Sequence, residues 1–271
     1  MSNRDKLVNL AKDTIEISKK GQYVIGNRVY NFNTDNNTVV FRNFERIKAE
    51  VAKKPRKANC NIQVRQEGTV DAIFRLSRGK QTNLALGVLN FASAYNPGGG
   101  FETGAMAQEE CLAYCSDLYK KQVEGAWEYY EINRAQRNPL YTDTMFMTDT
   151  TFFRDGSFNL VANPTLCNVL TCPAVNMGAI KDRSAESLNK AKAIMKNRMR
   201  KILFLFAFYE CTDIVLGAYG CGVFGNDPYD VAQFWHELLV DEGMWSYFDS
   251  ITFSILGGKS DNIKAFNQIF N

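Results

Sequence analysis

Leu84-Ala85-Leu86-Gly87-Val88-Leu89-Asn90-Phe91 is soon followed by Asn96-Pro97-Gly98-Gly99-Gly100, and this pair of segments organises the chain. The first is a short, almost uninterrupted apolar run ended by turn residues. Such a run suits a strand buried on both faces, as in a sheet covered by helices on either side. The glycine run that follows lies where an α/β sheet turns from a strand into the next helix, and such sheets bind ligands at the carboxyl ends of their strands.

Outward from that strand the pattern alternates. Residues 60–64 fit a strand and 69–76 a helix. Beyond the glycines, a helix is expected over 107–133 and strands over 145–153, 160–162 and 169–174. Ser184 can cap a long helix over 185–208. A strand over 213–217, a helix over 231–239 and a last strand over 251–256 complete the series. Alternating strands and helices predict an α/β domain with a largely parallel or mixed central sheet. Residues 1–58 read as a mainly helical accessory segment ahead of a main domain spanning 59–271. Leu7, Leu10, Ala11, Ile15 and Ile17 approach helical spacing before Gly21. Tyr23-Val24-Ile25 and Val29-Tyr30 flank Gly26-Asn27 as in a hairpin. A second helix over 45–53 stops at Pro55, and the basic, polar residues 52–59 mark the joint.

The chain has 271 residues, 45% hydrophobic and 23% charged, which is too apolar for disorder. No apolar stretch approaches the roughly 20 residues needed to span a bilayer. Residues 1–13 place charges where a secretion signal needs an apolar core, so an intracellular location, cytoplasmic or nuclear, is expected and no membrane partner. The net charge of +3 is uneven. Residues 1–60 hold 13 Lys/Arg against 6 Asp/Glu, an excess of +7, and the remainder 19 against 23, or −4. That excess can attract a polyanion, although a solvated helix face is the plainer reading, and nothing else supports direct nucleic-acid binding. Seven cysteines, none in C-x-x-C, and a single histidine, His236, lack the spacing of a zinc site. The cysteines read as reduced, mostly buried thiols. Neither a metal nor a cofactor is expected.

The chemistry concentrates in two places. Gly98, Gly99 and Gly100 can adopt φ > 0 and let the backbone approach a ligand, with amides turned to an anion. Gln108-Glu109-Glu110 then opens the next helix. Acidic residues are ordinary there, because the helix dipole stabilises them. Beside a phosphate-cradling loop they can do more, since glycosidic cleavage needs a carboxylic acid for the leaving oxygen and a base for water. Crowding of the two carboxylates is expected to raise a pKa, which suits a general acid. The second place is Gly217-Ala218-Tyr219-Gly220-Cys221-Gly222-Val223-Phe224-Gly225-Asn226, again between a strand and a helix. It offers a second amide cradle, with Phe224 set to stack on a sugar or base. Two such loops suggest a diphosphate clamp.

GGGFETGAMAQEE, with VLNFASAYNPGGGF, YTDTMF, FFRDG, CPAVNMG and GAYGCGVFGNDP around it, resembles the compact microbial poly(ADP-ribose) glycohydrolases across residues 60–257. The resemblance implies a macrodomain-like three-layer α/β/α fold. It also implies hydrolysis of the ribose–ribose bonds of poly(ADP-ribose), with ADP-ribose released from chain ends. Glu110 would be the catalytic acid/base and Glu109 would hold the ribose hydroxyls. Gly98, Gly99 and Gly100 would line the distal ribose and diphosphate, with Gln108 beside them. Gly220, Cys221, Gly222, Val223, Phe224, Gly225 and Asn226 would form the second phosphate loop, and Asn90 would contact the distal ribose. Asp71 and Phe224 are candidates for adenine. The partners implied are poly(ADP-ribose) or ADP-ribosylated macromolecules. The chain departs from the family at Cys111-Leu112-Ala113-Tyr114-Cys115, where a serine and an arginine are usual. It departs again at Tyr219 for tryptophan, and at residues 148–154.

Two other readings share this fold: a macrodomain that binds ADP-ribose without cleaving it, and a hydrolase of mono-ADP-ribosylated substrates. The paired glutamates argue against the first, since a reader needs no acid there. A cysteine hydrolase lacks a base near a thiolate. A nicotinamide oxidoreductase lacks G-x-G-x-x-G with its distal acid.

Overall fold

The apolar run at 84–91 falls in β5 (Thr82–Phe91), the middle strand of a seven-stranded sheet in the computed structural model, which describes residues 2–78, 80–257 and 260–271. From edge to edge the sheet passes through β3 (Val39–Phe41), β6 (Met145–Arg154), β7 (Leu160–Cys172), β5, β8 (Asp213–Leu216), β9 (Ser250–Ser254) and β4 (Asn61–Arg65). Pairing is parallel from β7 to β4 and antiparallel for β3–β6 and β6–β7, so the sheet is mixed. A separate hairpin joins β1 (Gln22–Ile25) and β2 (Arg28–Asn31).

Side chains of a strand alternate between faces, and here both faces are covered. Leu86 and Val88 of β5 pack in one core with Val215, Val169 and helices α1 (Asn3–Lys20), α3 (Thr69–Ser77) and α4 (Gln108–Cys115). Leu89 packs in the other with Leu170, Ile214, Ile251 and helices α2 (Glu45–Ala52), α7 (Ala185–Phe208), α8 (Pro228–His236) and α9 (Asp261–Phe270). The result is the three-layer α/β/α arrangement expected. Residues 1–58 contribute α1, the hairpin, α2 and the edge strand β3, whose Val39–Phe41 pairs with Met147–Met145 of β6.

The helix expected over 107–133 is instead three: α4, α5 (Leu118–Gly125) and α6 (Trp127–Gln136). Ser116 breaks the first by adopting an extended backbone that bridges to Phe152 of β6. Asp117 then accepts the Thr151 amide at 2.8 Å, tying the break to the sheet. Apolar periodicity runs through this junction because both sides face the same core. The two strands expected at 160–162 and 169–174 are one, β7. Pro164 does not divide it, because among the described residues 161–164 have no ladder partner on either neighbour, and a missing N–H costs little where none is needed.

A buried cation on α7 ties together the segments before β6 and after β7. Arg198 is fully buried; its Nε donates to Asp143 at 2.9 Å, and its terminal amino groups donate to the carbonyls of Pro173 (3.0 Å) and Leu140 (2.7 Å). Lys201 gives Asp143 a second cationic partner, and Asp143 titrates below its ordinary value because these two charges outweigh its burial. Removing one partner of such a group leaves a buried charge or carbonyls without donors. Arg198→Met is expected to cost about 3–5 kcal/mol in urea unfolding; a loss below about 1 kcal/mol would show that the group is dispensable.

Candidate active site

β5 and β8 are parallel neighbours, yet the helices that follow them cover opposite faces. Leu112, Ala113 and Tyr114 of α4 lie in the β5-side core with α1 and α3, while Val231, Ala232 and Trp235 of α8 lie in the other. The two outgoing loops therefore diverge and open a crevice between the strand ends, the usual place for a ligand in such a sheet. Both motif loops border it.

The glycine loop closes on the carboxylates. Gly98 and Gly99 both take left-handed backbones, at φ +63° and +59°. A Cβ on Gly99 would meet Glu110 Oε1 at 2.5 Å and Glu109 Oε2 at 3.2 Å, so only glycine fits between loop and acids. Glu110, the third residue of α4, reaches back to cap its own helix. Its Oε2 accepts the Ala107 amide at 2.9 Å, and its Oε1 accepts the Gly100 amide at 2.8 Å. Each oxygen accepts a single protein hydrogen bond and keeps capacity for another.

Glu109 is only 3% exposed and is held by neutral donors. Asn90 Nδ2 (3.2 Å) and Gln122 Nε2 (3.1 Å) donate to its Oε1, and the Ser93 amide donates to its Oε2 at 2.7 Å. Burial nevertheless dominates and pushes its pKa up to about 7, with the neighbouring Glu110 adding to the rise and the three donors opposing it. The raised acid anticipated from crowding is thus found at Glu109, and its main cause is desolvation rather than the second carboxylate.

Gln122 joins the two parts. The same side-chain amide that donates to Glu109 accepts the Gly98 amide at 2.7 Å, and the residue is fully buried. Neither Gln122 nor Ser93 was singled out from the sequence. Ser93 sits within the strand-to-loop motif, where a backbone donor leaves no side-chain signature. Gln122 lies on α5, beyond the unforeseen break at Ser116, so no local spacing connects it to Glu109.

The glycine loop does not present an anion cradle. The Gly98, Gly99 and Gly100 amides are taken by Gln122, the Asn96 carbonyl and Glu110 respectively. This corrects the expectation of two cradles, because side chains of α4 and α5 and one carbonyl of the turn already take its donors. The second loop is different. Among the described residues the amides of Gly220, Gly222, Val223 and Phe224 have no hydrogen-bond acceptor. Successive free amides in a glycine-containing turn form an anion-binding concavity. Asn226 Nδ2 donates to the carbonyls of Val175 (2.8 Å) and Gly220 (3.0 Å) and holds the loop's shape.

Two cavities meet under this loop. One, of about 650 Å³, holds both glutamates with Gly99, Gly100, Glu102, Thr103 and Tyr119. The other, of about 560 Å³, is lined by Asp71, Gln108, Gly220, Gly222, Leu256 and others. Phe91, Ala107, Val223 and Phe224 border both and mark the junction. Of the residues expected at the site, Asn90, Gly98, Cys221, Gly225 and Asn226 do not line either cavity. Asn90 lies underneath, on Glu109. Gln108 borders the second cavity, but its amide pins the end of β5: it accepts from the Phe91 amide (2.9 Å) and donates to the Leu89 carbonyl (2.9 Å). Cys111 and Cys115 line the second cavity, and burial pushes the Cys111 thiol up to about 11 and Cys115 well above its ordinary range, against a nucleophilic role. Where the chain departs from the usual pattern, Tyr114 donates to the carbonyls of Phe101 (3.0 Å) and Ala105 (2.9 Å) and braces the loop from below.

Residues 11–155 match the family model for the microbial-type PARG catalytic domain. Among solved structures, the chain is similar to the poly(ADP-ribose) glycohydrolase of Thermomonospora curvata, at 32% identity and a TM-score of 0.90, over 98% of this chain and 100% of that one. The same enzyme bound to the inhibitor ADP-HPD gives 32% identity and a TM-score of 0.88, with the same coverage. The poly(ADP-ribose) glycohydrolase of Deinococcus radiodurans in complex with ADP-ribose gives 37% identity and a TM-score of 0.77, over 87% and 94% of the two chains. No curated protein matches the chain.

Glu109 yields a pH prediction. Its proton affinity rises on folding, from the ordinary glutamate value of 4.5 to about 7. The folded chain then binds more protons than the unfolded one in that window, so stability falls as pH rises through it. Urea unfolding at pH 5 and pH 8 should show Glu109→Gln losing much of that fall, on the order of 2–3 kcal/mol. Identical pH profiles for variant and wild type would remove Glu109 as the source.

Proposed function

The chain belongs to the microbial-type poly(ADP-ribose) glycohydrolase family, and from that premise we propose that it hydrolyses the ribose–ribose bonds of poly(ADP-ribose) and releases ADP-ribose. The observation that carries this reading is a single crevice that joins a carboxylate pair to a loop of free amides. The diphosphate lies on the Gly222, Val223 and Phe224 amides, which places the distal ribose in the glutamate cavity and the adenosine in the adjoining one. ADP-ribose occupies the related D. radiodurans enzyme in its complex. Asp71 and Phe224, both bordering the second cavity, are the candidates for adenine and ribose.

Glu110 acts as the acid. Protonated, it gives its proton to the 2′ oxygen of the neighbouring unit as the C1″–O bond breaks and its electron pair goes to that oxygen. C1″ becomes oxocarbenium-like, stabilised by the diphosphate nearby. The same carboxylate, now ionised, takes a proton from water as the water oxygen bonds to C1″. Proton and charge are restored and no further reactant is consumed. Ala107 and Gly100 fix where Glu110 can deliver the proton, and Glu109, clamped by Asn90, Gln122 and Ser93, orients the ribose hydroxyls. A binding module needs no second carboxylate at this point, which weighs against the reader alternative. We place the reaction inside the cell, on the strength of seven unpaired cysteines. Among the described residues no helix is long and apolar enough to cross a membrane.

Purified poly(ADP-ribose) tests the reading. Wild type should release ADP-ribose alone from the earliest times, as end-wise cleavage requires. Early oligomers would point to internal cleavage. Glu110→Gln should lose about 10²–10⁴-fold in kcat yet retain ADP-ribose binding by calorimetry. Tight binding without release by wild type would move the chain to the reader or mono-ADP-ribosyl hydrolase class.

A further inference from the structure

A ribose ring carries its C5 and C1 substituents at opposite ends. With the diphosphate of the bound unit on the amides of Gly222 to Phe224, C1″ is directed to the far end of the glutamate cavity. The part of that cavity not shared with the adenosine cavity has Glu102, Thr103 and Tyr119 among its lining residues, beside the glutamates. The unit that departs with the 2′ oxygen must lie beyond it, and that unit carries its own diphosphate.

The first turn of helix α1 lies against Thr103 of this lining. Arg4 Nε donates to the Thr103 carbonyl at 2.8 Å. Arg4 is exposed, and among the described residues its two terminal amino groups have neither a hydrogen-bond nor an ion-pair partner. The position is built into the packing. Gly104, at φ +78°, has its missing Cβ filled by Arg4: a Cβ there would meet the Arg4 carbonyl oxygen at 2.8 Å and Cγ at 2.9 Å. Further along the helix, Thr14 donates to the Tyr114 carbonyl at 2.9 Å, and Asp13 pairs with Arg154. Of the acidic groups nearby, Asp5 is engaged in the Ser2 cap, and Glu102 accepts from the Tyr119 hydroxyl. A guanidinium anchored by its Nε keeps the forked pair that suits phosphate.

We propose that Arg4 forms a subsite for the diphosphate of the departing ADP-ribose unit, so that the N-terminal helix favours polymer over a single ADP-ribosyl group. This rests on the glycohydrolase reading above.

The test compares two substrates in the intact chain: poly(ADP-ribose), and ADP-ribose joined at C1″ to 4-nitrophenol, which lacks leaving-side phosphates. Arg4→Gln should lower the ratio of kcat/KM for polymer over nitrophenyl substrate by about fivefold. It should also reduce the slope of log kcat/KM for polymer against log salt by about 0.7, the release of one counterion from a single strand. Arg4→Lys should recover part of both. An unchanged ratio, whether both substrates suffer equally or neither does, would overturn the subsite and leave Arg4 as a brace for the 101–104 turn. A wild type that cleaves neither substrate would instead bring down the glycohydrolase reading, and the subsite with it.

Discussion

The Glu110 carboxylate is the point on which the glycine loop closes against helix α4. It accepts from Ala107 at the start of its own helix and from Gly100 in the preceding loop. A carboxyl group that accepts from two backbone donors is held in position and in direction. It fixes the loop's return, and the loop in turn fixes the carboxylate. The same closure explains why the glycine run contributes shape rather than donors. A turn packed this closely on two carboxylates has its amides taken by Glu110, Gln122 and the Asn96 carbonyl, and among the described residues it is the opposite loop that keeps donors free.

Beneath that bond lies a layer of neutral amides. Asn90, Gln122 and Ser93 hold Glu109 without a compensating cation, so burial wins and the group titrates near neutrality. A lysine or arginine in this layer would offset the cost of burial and draw the Glu109 pKa back down. The one buried lysine on α5, Lys121, is turned away and engages Asp117 and Asp149. Proton economy at the site is therefore a matter of which side chains α5 directs inward.

The N-terminal segment looks separable by composition, yet α1 packs on the 101–104 turn and on α4, and β3 completes the sheet edge beside β6. Composition reports charge and polarity, whereas integration depends on a few apolar positions such as Leu7, Ala11 and Ile17 that composition averages away.

The sequence by itself determined the elements whose cause is local. An apolar run bounded by turn residues dictates β5; a serine followed by unbroken helical periodicity dictates α7; and two adjacent acids behind a glycine run mark the carboxylate pair that the crevice holds. Only the tertiary structure decided what depends on residues distant in the chain. The break at Ser116 exists because β6 offers a bridge, and β7 runs through Pro164 because no partner there needs its amide. Gln122 meets Glu109, and Arg4 meets Thr103, through packing between helices that share no periodicity. Which glycine loop keeps its amides free was likewise illegible, since both have the same residue types and differ only in where their hydrogen bonds close.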